Sequence, residues 1–174
     1  NEYMQVIEQL DQTLHESERQ LKEAANDQRW RDSAECLQTM PGVGLITAMT
    51  ILAELGDIHR FRGRGSVSNY AGLVPSVRQS NDKAVYGRLI CSGNRHLRHV
   101  MVEAAWRAYG QVPAYESIFY RVTTRRDKAI AIVAVARRML EDAWTMLKRK
   151  EPFRYARSSD RPRASSEQAV PPVA

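Results

Sequence analysis

Met40-Pro41-Gly42-Val43-Gly44 stands between two segments whose apolar residues fall at helical spacing. Leu37 and Met40 lead into it, and Leu45, Ala48, Met49, Leu52 and Leu55 follow at steps of three, four and seven. Two glycines allow a tight turn and a close approach of the backbone to another molecule, and the second opens a helix. The first amides of that helix have no intrahelical partner and favour an anion. The stretch therefore predicts two helices joined by a tight, exposed turn, and it sets the fold class as helical.

A helix, a Gly-x-Gly turn and a second helix resemble the helix-hairpin-helix module, which holds a DNA backbone phosphate. A plain tight connection in a helical bundle has the same signature, so both readings stand at this level.

The same periodicity continues on either side. Tyr3, Ile7, Leu10, Leu14, Ser17 and Leu21 alternate steps of four and three, an a/d heptad seam interrupted by Ser17. So narrow a stripe predicts a helix with a partner helix, from a preceding segment or from another subunit. Asn26-Asp27 ends it, and Trp30, Ala34 and Leu37 form the face of a second helix. Beyond Leu55-Gly56, residues 57–65 read as a basic loop, and Ser66 as the cap of a short helix through Leu73. Residues 75–90 are polar with Asn81-Asp82 turn chemistry, predicting an exposed loop or an irregular hairpin. Gly93-Asn94 opens a helix with Leu97, Val100, Met101, Ala104, Ala105 and Ala108 on one face. Gly110 and Pro113 break it, Tyr115, Ile118 and Phe119 mark a short helical return, and Ile132, Ala136, Met139, Leu140, Ala143 and Leu147 mark the last core helix. The expected organisation is all-α: a coiled-coil helix at 1–26, a compact helical domain with one long basic loop at 27–150, and a disordered tail at 151–174.

Charge is unevenly placed. Residues 1–35 carry nine acids and four bases, residues 57–99 eight bases and two acids, and residues 100–150 ten bases and five acids. A basic half behind an acidic helix is the footprint of a polyanion binder, although solubility alone tolerates a net charge of +6. Two cysteines, Cys36 and Cys91, are too few for a disulfide framework and suit a reducing cytoplasm. No apolar run reaches membrane-spanning length. The chain begins at Asn1, already in helical pattern, which reads as part of a longer protein.

The acids do not compose a catalytic metal site. Glu54, Asp57, Asp82 and Glu103 are scattered singly through the basic half, and Cys91, His96 and His99 lack a fourth ligand for zinc. No Gly-x-Ser-x-Gly elbow is present. Ser80 follows Arg78 and Gln79, with Lys83, Arg88, Arg95 and Arg98 behind it. On the residues alone it is an ordinary turn serine or a nucleophile in a cationic surround, and the arginines are phosphate positioners or a solvated face.

Several blocks occur in one order: Pro41-Gly42-Val43-Gly44 with Thr47-Ala48, Phe61, Tyr70 to Pro75, Gln79-Ser80, Gly87-Arg88, and Gly93 to Arg98. Over residues 37–108, with a weaker helical echo to 150, this order resembles the C-terminal domain of bacterial insertion-sequence transposases that pair an N-terminal RuvC-like DEDD domain with a serine-bearing helical domain. The resemblance implies a cytoplasmic DNA recombinase that excises and inserts a mobile element, guided in some members by an RNA encoded in that element. It implies Ser80 as the residue that attacks DNA and forms a transient covalent link. Gly42, Gly44, Arg78, Lys83, Arg88, Asn94, Arg95 and Arg98 would contact DNA, and the protein would assemble as a homo-oligomer. No cofactor is expected in this chain itself; Mg²⁺ would sit on acids of the preceding domain, so that this part alone binds nucleic acid without cutting it. Asn81 stands where the family usually has glycine, and Cys91-Ser92 replaces a common lysine. The alternatives are a non-catalytic helix-hairpin-helix DNA-binding module and an oligomerisation fragment.

Overall fold

The computed structural model describes residues 2–80, 83–89 and 93–154. Helix α1 (Glu2–Ala25) projects from a body made of α2 (Arg31–Gln38), α3 (Leu45–Leu55), α4 (Arg64–Tyr70), α5 (Arg95–Ala108), α6 (Pro113–Thr123) and α7 (Lys128–Arg149). A 3-10 turn, Ile58–Arg60, lies between α3 and α4. The helical class expected from the spacing is what the chain adopts.

The last helix organises the body. Ile132, Ala136, Met139, Leu140, Ala143 and Leu147 are buried as their spacing predicts, and so are Ala131, Val135, Trp144 and Met146. The buried set is wider than one stripe because α7 packs against α2, α4, α5 and α6 together. A helix enclosed on several sides keeps a narrower polar face than a surface helix, here Arg137, Arg138, Glu141 and Asp142. The Trp144 Nε1–H donates to the Ile58 carbonyl at 3.1 Å, joining α7 to the 3-10 turn. Lys150 takes the left-handed conformation that ends α7. The chain then straps across α2: the Cys36 thiol donates to the Glu151 carbonyl at 3.1 Å, and the Phe153 N–H to Thr39 Oγ1 at 2.8 Å. Of residues 151–174, read from sequence as a disordered tail, 151–154 form this strap, and 155–174 lie outside the described residues.

Helix α1 keeps its seam in solvent. Tyr3, Leu10 and Leu14 are 81, 63 and 57 % exposed, and Ala25 is its one buried residue. Arg19 pairs with Glu16 and Glu23 along its outer surface. Surface pairs of this kind stabilise little, so the helix has few contacts of its own to hold it.

Two details differ from the sequence reading. Ser66 does not cap α4: Gly63 is the N-cap, and Ser66 lies one turn inside, accepting from the Gly63 N–H at 3.2 Å and donating to the Gly63 carbonyl at 2.6 Å. The helix also stops at Tyr70, where Leu73 N–H donates to Ser68 O and Gly72 N–H to Asn69 O, with Gly72 at φ 67°. That paired closure is a Schellman ending, which needs the left-handed glycine. The long basic loop is a hairpin, β1 (Pro75–Ser80) antiparallel to β2 (Lys83–Leu89), with Ser80 opposite Lys83 and Pro75 opposite Leu89. The ladder shifts register between Pro75 and Val77, so that Gly87 and Arg88 of β2 face the single residue Ser76. Such a bulge makes the hairpin irregular and increases its twist.

Candidate nucleic-acid interface

The two feet of the hairpin are brought together by a polar knot that begins on α3. Near the C-terminus of α3, the Glu54 carboxylate accepts from Asn94 Nδ2 at 2.5 Å, and the Glu54 carbonyl accepts from the Tyr70 hydroxyl at 3.1 Å. Asn94 Nδ2 also lies 3.4 Å from the Tyr70 hydroxyl, and the Asn94 N–H donates to the Tyr70 carbonyl at 2.7 Å. Tyr70 precedes β1 and Asn94 follows β2, so these bonds close the base of the hairpin. Gly93 completes it: a Cβ there would lie 2.3 Å from the Gly72 nitrogen and 2.4 Å from its Cα. Only glycine permits that approach.

Arg60 joins the same knot. Its guanidinium donates to the Leu55 and Glu54 carbonyls at 3.1 and 3.3 Å, filling acceptors left open at the end of α3. It also stacks 4.5 Å from the Phe61 ring centre and 4.6 Å from that of Tyr70. Hydrogen bonding from Asn94, then from Arg60, holds the Tyr70 phenol below its ordinary pKa. Arg60 therefore belongs to the frame, although its charge counts toward the basic footprint. Other cations are similarly engaged: Arg64 donates to Thr145, while Arg137 and Arg138 pair with Glu141 and Asp142 at 2.9 Å.

Beside the knot, Asn94 caps α5. Its Oδ1 accepts from Leu97 N–H at 2.9 Å, and the first turn that follows carries Arg95 and His96 with no acid. Arg95, His96 and His99 are exposed and Arg98 is half-buried; with Val102 and Val133 they line a shallow groove between α5 and α7. The helix dipole adds positive potential at this end of α5.

The glycine turn sits at the opposite end of α3 from Glu54. Gly42 has φ 81°, and a Cβ on it would lie 2.5 Å from the Ala104 carbonyl and 3.0 Å from Ala108 Cβ. Its close approach is thus to the chain's own α5, made possible by the alanine face of that helix. Gly44 differs: it is exposed, in extended conformation, and no atom lies within 4 Å of its would-be Cβ. It is the N-cap of α3 and offers no side-chain cap to the amides of the first turn. Next to it Ile46 is 60 % exposed.

Of the residues singled out from sequence, Asn94, Arg95 and Arg98 meet at the start of α5, and Gly42 and Gly44 form the turn before α3. Ser80, Arg78, Lys83 and Arg88 lie on the hairpin, with Ser80 and Lys83 paired at its far end. Asn81, Asp82, Cys91 and Ser92 lie outside the described residues. Among the described residues no group of three or more His, Cys, Asp or Glu could hold a metal ion. No described helix is long and apolar enough to cross a membrane. Glu54, Tyr70 and Arg60 escaped the sequence reading as a unit. An Asn ahead of an apolar helix does signal the cap, but its partners across the fold leave no local trace.

Comparison with known proteins covers this frame. A model of the transposase IS116/IS110/IS902 family matches residues 34–121, from α2 through most of α6. The transposase for insertion sequence element IS1111A of Coxiella burnetii is 30 % identical over 148 residues, covering 83 % of this chain and 40 % of that protein. The transposase for insertion sequence element IS1328 of Yersinia enterocolitica is 28 % identical over 142 residues, covering 79 % and 41 %. The pilin gene-inverting protein of Moraxella bovis is 28 % identical over 123 residues, covering 69 % and 38 %. The chain thus spans about two fifths of the length of these relatives. With more than half its residues matched by the family model and its hairpin frame inside the match, the chain belongs to the IS116/IS110/IS902 transposase family.

Proposed function

We propose that the chain is the DNA-binding and strand-transfer part of a transposase or recombinase, with Ser80 as the nucleophile on a DNA phosphate. The observation that carries this is the placement of Ser80 at the far end of a hairpin whose base is tied to the basic start of α5. Relatives named for transposition and for gene inversion support a cut-and-rejoin chemistry. Attack by the Ser80 hydroxyl forms an O–P bond and breaks the bond to one deoxyribose oxygen, which leaves with the proton that serine gives up. Reversal by a new deoxyribose hydroxyl releases the serine and completes the transfer. Positive charge from Arg78 and Lys83 would stabilise the charge that builds on the attacked phosphate, while Arg88, Arg95 and Arg98, toward the hairpin's base, would hold neighbouring backbone phosphates. Mg²⁺, held by acids of a preceding DEDD domain, would supply further charge neutralisation.

The α2–turn–α3 unit acts as a helix-hairpin-helix: the open amides after Gly44 grip a backbone phosphate. The exposed seam of α1 pairs with a second copy as a coiled coil. In the full-length protein, trapping covalent protein–DNA adducts with wild type and Ser80→Ala tests the chemistry. Adducts are expected only from wild type, and their persistence in the alanine variant would overturn the serine role. The chain as given should bind duplex DNA with an affinity that falls as salt rises, since phosphate contacts release counterions. Binding indifferent to salt would remove the DNA reading itself.

A further inference from the structure

The knot under the hairpin is placed where it does more than close a loop. Glu54 is an acid in the last turn of α3, where the helix dipole disfavours negative charge. Its carboxylate nevertheless takes the shortest side-chain bond of the knot, from Asn94 Nδ2 at 2.5 Å. The Asn94 amide is fully used, since Oδ1 holds the first turn of α5 while Nδ2 reaches Glu54 and Tyr70. The other end of the same helix is Gly44, the open turn. One rigid helix, about 16 Å long at 1.5 Å per residue, therefore ties that turn to both feet of the hairpin.

We propose that Glu54 is a positioning residue: its carboxylate, latched to Asn94, fixes the hairpin relative to α3 and α5 and so sets where Ser80 meets the DNA. This rests on Ser80 being the nucleophile. The latch acts through geometry, because Glu54 is opposite the hairpin's feet and Ser80 lies at the hairpin's far end. It predicts that turnover depends on Glu54 and Asn94 as a matched acceptor and donor.

The test uses the full-length protein with a duplex DNA substrate. Asn94→Asp keeps a side-chain acceptor for the Leu97 amide but sets a second carboxylate against Glu54. Turnover at saturating DNA should fall about 30-fold, of the order that a displacement of under 1 Å costs, while KM for DNA changes less than about three-fold. Backbone hydrogen exchange across 75–80 and 83–89 should rise, with α7 unchanged. Adding Glu54→Gln to Asn94→Asp reverses donor and acceptor, and should restore both turnover and protection. Failure of that rescue, unchanged hairpin exchange, or a loss confined to KM overturns the latch; the last result would place Asn94 on the DNA instead. If Asn94→Asp does not fold, Glu54→Ala, which removes the carboxylate that accepts from Asn94 Nδ2, takes its place. Unchanged hairpin exchange in that variant likewise overturns the latch. Ser80→Ala run in parallel separates the two ideas: retained adducts in it refute the nucleophile, whereas hairpin exchange reports on the latch alone.

Discussion

Replacing Gly42 by alanine separates a glycine that packs inward from one, Gly44, that stands open. At φ 81° a side chain costs about 1–2 kcal/mol from the left-handed backbone alone. The new methyl would also lie 2.5 Å from the Ala104 carbonyl and 3.0 Å from Ala108 Cβ, so α5 or the turn must shift. Overpacking of this kind costs about 1–3 kcal/mol. Together the loss is about 3 kcal/mol, which for a chain of this size lowers Tm by about 6–12 °C. Gly44→Ala is the control: its φ of −94° suits any residue and no atom lies within 4 Å of the new methyl. It loses only the N-cap preference of glycine over alanine, about 0.5–1 kcal/mol. Thermal unfolding followed by circular dichroism compares the two, and DNA binding is measured at a temperature where both remain folded. Gly42→Ala should be the less stable variant, and Gly44→Ala the one whose DNA affinity falls more relative to its stability. A Gly42→Ala protein that melts with wild type would refute the packing argument.

Three further outcomes follow from the same structure. Leu10→Asp with Leu14→Asp places charge on the exposed seam of α1; sedimentation should show loss of self-association with Tm of the body unchanged, and an unchanged oligomer would exclude the seam as interface. Burial, then the nearby Asp142, raises the Tyr115 phenol above its ordinary pKa. Its contribution to stability is therefore complete below about pH 10 and is lost as pH rises further, at up to about 1.4 kcal/mol per pH unit. Urea unfolding at pH 9–11 should show that Tyr115→Phe flattens this alkaline decline, and an identical slope in both proteins would contradict it. Ser68 is fully buried and its hydroxyl donates to Glu141 at 2.7 Å; Ser68→Ala should cost about 1 kcal/mol, read as a lower urea midpoint with unchanged m-value.

The helices were legible in the sequence because each repeats a face. Leu97, Met101, Ala104, Ala105 and Ala108 are buried as their spacing predicts, while Val100, read on the same face, is half-buried. The hairpin was harder, because the Gly87-Arg88 bulge breaks the two-residue alternation that marks a strand. Ser66 misled because a serine one turn inside a helix bonds back to the cap residue much as a capping serine bonds forward. Gly42 was recognised as a residue that allows close approach, but its partner on α5 is more than sixty residues away in the chain. The latch between Glu54 and Asn94 spans 40 residues and leaves no periodicity at either end. What sequence order did preserve was the set of glycine and asparagine blocks, and the structure places several of those blocks at the turn and the knot.

The strap after α7 sets a timetable for the molecule. Glu151 and Phe153 hold Cys36 and Thr39, immediately before the glycine turn, across separations of 115 and 114 residues. A chain leaving the ribosome in order makes the turn early but receives these two supports only when its last described residues emerge. The turn that we propose grips phosphate is thus finished late, and a nascent chain halted before residue 151 holds the turn without its brace.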